Sequence, residues 1–184
     1  MLKFIYADMS QALRYLPYGL AVGIPAAVIA VWLLNLRSKK KQKPPVKWMP
    51  ATAFCVYITV MLAITFLSRE SGSRSDVLDL RLFSTWGIND RNNAFVIENV
   101  LLFIPYGFLY CWNFSRKRKL FRCTLLGAAT SLGIETMQLL TGRGYFQIDD
   151  IVTNTLGALI GGLLFAVVSS LVRRLGACNT KEET

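Results

Sequence analysis

GYFQIDDIVTNTLGALIGG, residues 144–162, decides how the chain is read. Two aspartates, Asp149 and Asp150, stand against the start of a long apolar run, and Asn154 lies one turn inside it. The run continues to about residue 172, long enough for the roughly 20 residues that span a bilayer. A membrane helix that opens with two acids and then buries an amide needs polar partners from elsewhere in the chain.

Working outward, four more apolar runs of that kind appear, at 16–36, 48–67, 94–112 and 120–140. The 184 residues are 53% hydrophobic and 17% charged, with mean hydropathy +0.40, too apolar for an ordinary soluble domain. The expected fold is therefore all-α, a polytopic membrane protein of about five transmembrane helices. Residues 1–14 place Leu2, Ile5, Met9 and Leu13 at helical spacing and read as an interfacial amphipathic segment. Residues 15–67 hold the first two spans, 68–93 an extracytoplasmic loop, 94–172 a three-helix core and 173–184 a tail. In the loop, Leu80, Leu82, Phe83 and Trp86 are candidate interface anchors.

The net charge of +10 is a topology signal before it is a nucleic-acid signal. Of 21 basic residues, 14 fall in 37–47, 116–122 and the tail, beside 2 of the 11 acids. With five spans these regions share one side, which the positive-inside rule makes cytoplasmic. The N-terminus then lies outside and the C-terminus inside. No basic face remains to carry a nucleic acid. Cys111, Cys123 and Cys178 lie toward the reducing side and Cys55 within a span, so no disulfide is expected. The chain has no histidine. No metal or cofactor is expected.

The polar residues converge. Glu98 and Asn99 open the third span at its outer end, and Arg69 follows the second. Glu135 and Gln138, three apart, share a face of the fourth, with Ser131 one turn deeper. Arg143 stands in the short loop before Asp149, Asp150 and Asn154. At 1.5 Å per residue, Glu135 and Asn154 both lie roughly 6–8 Å below the outer boundary. Glu135 is the sharpest candidate, because an acid in hydrocarbon costs about 2.5–3.5 kcal/mol on insertion scales. It reads equally as a structural acid, paired with Arg143 or Asn154. One of Asp149 and Asp150 reads as a helix cap. Gly157 and Gly161 form GxxxG, a close helix contact expected to fall on the fourth span.

Three blocks in order, NVLLFIPYGFL (residues 99–109), SLGIETMQLLTGR (131–143) and QIDDIVTNTLGALIG (147–161), resemble the signature of VanZ-like membrane proteins. The resemblance carries onto Asn99, Pro105, Gly107, Glu135, Gln138, Arg143, Asp149, Asp150, Asn154 and Gly157. Where that family often has a Pro-Phe pair before the third span, this chain reads RLFSTWG. The resemblance implies a multi-pass protein of the bacterial cell membrane. It also implies a part in resistance to the glycopeptide teicoplanin, with no defined reaction.

Three classes of function are open. A binding protein would engage the glycopeptide antibiotic or a lipid-linked wall precursor at the outer leaflet, among membrane lipids. An enzyme on a lipid headgroup would use Glu135 and an aspartate as acid and base, with Arg143 or Arg69 on phosphate; the sequence offers no clear nucleophile. A transporter should leave polar residues along the cytoplasmic halves of the spans, and few are there.

Overall fold

A computed structural model describes residues 1–40, 42, 45–67, 78–114 and 119–182; the side chains of residue 67 and of those beyond 175 are excepted. Arg69, Glu70, Arg74 and Asp76 of the expected loop, Lys41, Lys43, the basic residues 116–118 and the side chain of Cys178 lie outside the described residues.

The long elements are helical. They are α1 (Leu2–Ala12), α2 (Leu16–Lys40), α3 (Trp48–Leu62), α4 (Asp90–Asn113), α5 (Lys119–Leu140) and α6 (Ile148–Glu182). A π-helical turn, Ala63–Leu67, prolongs α3. Two short strands, β1 (Leu78–Asp79) and β2 (Phe146–Gln147), pair in parallel. The expected N-terminal helix is present, but nothing sets it apart. A 3₁₀ turn, Leu13–Tyr15, joins α1 to α2, and Ala12 and Leu16 keep right-handed helical geometry.

Among the described residues four stretches are long and apolar enough to cross a membrane: Leu2–Lys40, Trp48–Phe66, Asp90–Asn113 and Ile148–Leu175. The chain is thus an all-α polytopic membrane protein. The fifth expected span, α5, has the length but is less apolar. Its polar residues Ser131, Glu135 and Gln138 are all buried, so α5 turns its polar face into the bundle, where such residues are tolerated.

Size segregates the wrong way round for a soluble protein. On α2 the buried positions are Gly19, Gly23, Ala27 and Val31. Val22, Ile29, Trp32 and Leu33 of the same helix are exposed. Large side chains gain nothing from leaving lipid, so small ones line the contacts and let backbones approach. Gly19 and Gly23 lie against Val60 and Val56 of α3, which runs antiparallel.

α6 packs most extensively on α4, then on α5. The GxxxG row corrects one expectation. Gly157 and Gly161 lie against the carbonyls of Val100 and Ile104 on α4, not against α5. The neighbouring row, Asn154 and Ala158, faces α5, where the Ala158 methyl meets Gly127. Two rows one residue apart thus serve two partners. Gly107 of α4 meets the Ala158 carbonyl, and the Cys123 thiol donates to the carbonyls of Gly107 and Ala158 at 3.6 Å each. Met61, Phe103, Tyr106, Ile134 and Ala158 form the main core. Pro105 gives no N–H to its own helix. One residue beyond the carbonyl it leaves free, the Tyr57 hydroxyl from α3 donates to the Leu102 carbonyl.

A Cβ at position 161 has no room beside the Ile104 carbonyl, whereas one at Gly133 meets nothing within 4 Å. Gly161→Ala should therefore destabilise the purified protein by about 1–3 kcal/mol, the cost of overpacking. Gly133→Ala should be neutral or gain up to about 1 kcal/mol of helix propensity. Thermal unfolding in detergent reads both, and equal effects would show that the α4–α6 approach is looser than described.

Candidate functional site

One end of the bundle gathers the end of α3, the starts of α4 and α6, and the end of α5. Helix termini there leave backbone groups that water cannot satisfy inside the bundle. The polar residues singled out in the sequence answer that need first.

α5 stops at TGR. Gly142 adopts φ +61, a left-handed conformation suited to glycine. The N–H groups of Gly142 and Arg143 turn back to the carbonyls of Leu139 and Gln138, at 3.2 and 2.9 Å. This is a Schellman stop. Arg143 Nη1 then donates to the Phe66 carbonyl at 2.6 Å. Gln138 Nε2 donates to the Thr65 carbonyl at 3.2 Å. Both carbonyls belong to the last turn after α3. A guanidinium there complements the negative end of the helix dipole.

Glu135 is 2% exposed and accepts the N–H of Gln147 at 3.0 Å, just before α6 begins. It thus ties α5 to the residue before α6 through the backbone of Gln147, where the sequence suggested Arg143 or Asn154 as its partner. Asn154 pairs one turn deeper, its Nδ2 donating to Ser131 Oγ at 2.8 Å rather than to Glu135. In an antiparallel pair, that is the level opposite residue 154.

Asp149, 5% exposed, accepts N–H groups from Phe83 at 2.6 Å and Thr85 at 3.0 Å. It clamps the loop that precedes α4. Phe83 has φ +60, a strained value for a bulky residue that the clamp helps to hold. Asp150 lies half-buried in the same first turn. Asp79 accepts the N–H of Arg81 at 3.1 Å, the Ser84 hydroxyl at 2.9 Å and Arg81 Nε at 3.2 Å. These bonds, the backbone one foremost, hold its carboxyl below the usual range. The order Asp79 lends the loop is therefore full above the ordinary carboxylate range and is lost as pH falls through the lowered value.

Glu98 and Asn99 are not in this cluster. They line a groove of about 510 Å³ between α1, α3 and α4, together with Asp8, Arg91, Gln11 and Thr65. Thr65 joins the two regions: its carbonyl receives Gln138, and it lines the groove. Arg91 Nη1 bridges to Asp8 at 2.7 Å. The rest of the groove is apolar, with Leu13, Leu16, Val60, Ile64, Leu101 and Leu102 among its lining residues. Sequence reasoning missed Asp8 and Arg91 as site residues. Their opposite charges, each near an apolar helix, were the available signal. Arg69 lies outside the described residues.

Among the described residues four buried side-chain oxygens at this end have no hydrogen-bond partner: Thr85 Oγ1, Gln138 Oε1, Asn154 Oδ1 and Glu98 Oε1. Each costs roughly 1–3 kcal/mol unless something else supplies a donor. Among the described residues no group of three or more His, Cys, Asp and Glu could hold a metal.

The VanZ/LLP1 family model matches residues 54–169. That is more than half of the 184 residues, and the chain belongs to this family. The match starts within α3, so it takes in the helix whose end Gln138 and Arg143 cap, as well as α4 to α6. The chain is a multi-pass membrane protein of bacteria. No curated protein and no solved structure matched the chain.

The clamp gives a direct test. Asp149→Ala removes both acceptors for Phe83 and Thr85, bonds to a charged group worth about 1.5–3 kcal/mol each. Amide hydrogen exchange at those two residues should speed up at least about tenfold, while the core of α6 stays protected. Unchanged exchange would show that the loop is held by other means.

Proposed function

We propose that this VanZ/LLP1 family protein contributes to resistance to teicoplanin-type glycopeptide antibiotics by binding an amphiphile at the outer leaflet, either the acylated antibiotic or a lipid-linked cell-wall component. The observation that carries this reading is the groove between α1, α3 and α4. It has ionic groups at one end and an apolar wall, and its volume of about 510 Å³ lies within the usual ligand range of roughly 300–1,000 Å³. An acyl chain suits the wall, and a polar head suits the end that carries Asp8, Arg91, Glu98 and Asn99.

The orientation follows from charge. Arg37, Lys39, Lys40, Lys47, Lys119, Arg122, Arg173 and Arg174 all belong to the opposite end of the bundle. Placing that end in the cytoplasm obeys the positive-inside rule and puts the groove's ionic end outside. The cluster of Glu135, Gln138, Arg143 and Asp149 then forms the fixed frame beside the groove, since each holds a backbone group.

Two substitutions test the proposal. Ile88 is 64% exposed in the loop. Ile88→Cys, in a background without the native cysteines, should react with an impermeant maleimide in intact cells. Reaction only after permeabilisation would reverse the orientation. Ala12 lines the groove, and Ala12→Trp should fill part of it. Cells carrying that variant at normal membrane levels should lose most protection against teicoplanin. Full protection would remove the groove from the function.

A further inference from the structure

The groove's ionic end is unbalanced. Among the described residues Arg91 is its one cation and is already engaged: its guanidinium bridges Asp8 at 2.7 Å and lies over the rings of Phe95 and Phe4, at 4.4 and 5.2 Å from their centroids. The Glu98 carboxyl lines the same groove as Asp8. Its Oε1 is buried with no hydrogen-bond partner. Two carboxyls thus share one pinned guanidinium. A buried carboxylate oxygen without a donor is costly, and the cost is recovered only by a donor, best a charged one.

We propose that the groove selects an amphiphile with an ammonium head, which sits between Glu98 and Asp8 while its chain lies along Leu13, Leu16, Val60 and Leu101. An ammonium carries three donors and no acceptor, which matches a site with spare acceptors. An anionic head meets the unpaired Glu98 oxygen and is repelled. This inference rests on the reading of the groove as the ligand site and adds the sign of the ligand's charge.

The test uses the full chain in nanodiscs of zwitterionic lipid and two probes of equal length, dodecylammonium and dodecanoate. Each competes against a photoreactive dodecylammonium, with the Ala12→Trp protein as the background for lipid partitioning. The ammonium should compete at least about tenfold better than the carboxylate, the worth of one charge-assisted bond. Glu98→Gln should erase most of that preference. Asp8→Asn, on the largely exposed α1, reads the same preference independently and should weaken it. Equal competition, a preference for dodecanoate, or a preference untouched by both substitutions would overturn the proposal. Loss of teicoplanin protection in Ala12→Trp without any charge preference rejects this inference alone. A clear ammonium preference with protection intact in Ala12→Trp rejects the resistance role alone.

Discussion

Every backbone N–H and C=O inside a bilayer must find its partner within the protein, and that constraint organises the loop end of this molecule. Four helix ends and a loop meet there. Gln138 and Arg143 take the carbonyls left over at Thr65 and Phe66. Glu135 takes the Gln147 N–H, and Asp149 those of Phe83 and Thr85. Asp149 and the amide Asn154, which seem misplaced at the start of α6, thus join it to unlike elements. Asp149 holds the loop, Asn154 holds α5, and Glu135 reaches across from α5 to the residue before the helix. Breaking one such pair leaves a buried group unsatisfied, which costs more than the bond contributed.

The packing below that end follows from the same solvent. Lipid gives large apolar side chains no reason to hide, so α2 and α6 bury glycine and alanine and present valine, leucine and tryptophan outward. Close approach then depends on rows. Gly157 and Gly161 admit the carbonyls of α4, while Asn154 and Ala158, one row over, meet α5. Polar pairing and steric fit therefore specify the same register of α6.

Much of this was legible in the residues. The long apolar runs, the burial of Glu135 and Asn154 and the tie between α5 and the start of α6 all follow from length, hydropathy and spacing. Partners were less legible. Gly157 and Gly161 announce a close contact but not with which helix, because α4 and α5 both offer small residues. Glu135 announces a buried acid, but a backbone N–H as its partner leaves no mark in side-chain chemistry. Gly142 after Thr141 was the one local signal that fixes where Arg143 is aimed, through its left-handed φ. The groove was least legible. It needs α1, α3 and α4 side by side, and its Asp8–Arg91 bridge joins residues whose nearness only the tertiary fold creates.

On the proposed reading, function divides between two neighbouring regions. At the α3–α5–α6 end Glu135, Gln138, Arg143 and Asp149 each hold a backbone group, and the groove beside it is lined by Glu98, whose Oε1 has no hydrogen-bond partner. Thr65 belongs to both: it lines the groove, and its carbonyl receives Gln138. The most direct test of this division is an experimental structure of the chain in lipid with teicoplanin added. The account requires density for an amphiphile along α1, α3 and α4, with its head within hydrogen-bonding distance of Glu98. Density seated instead on Glu135, Asp149 or Arg143, with the groove unfilled, would contradict it.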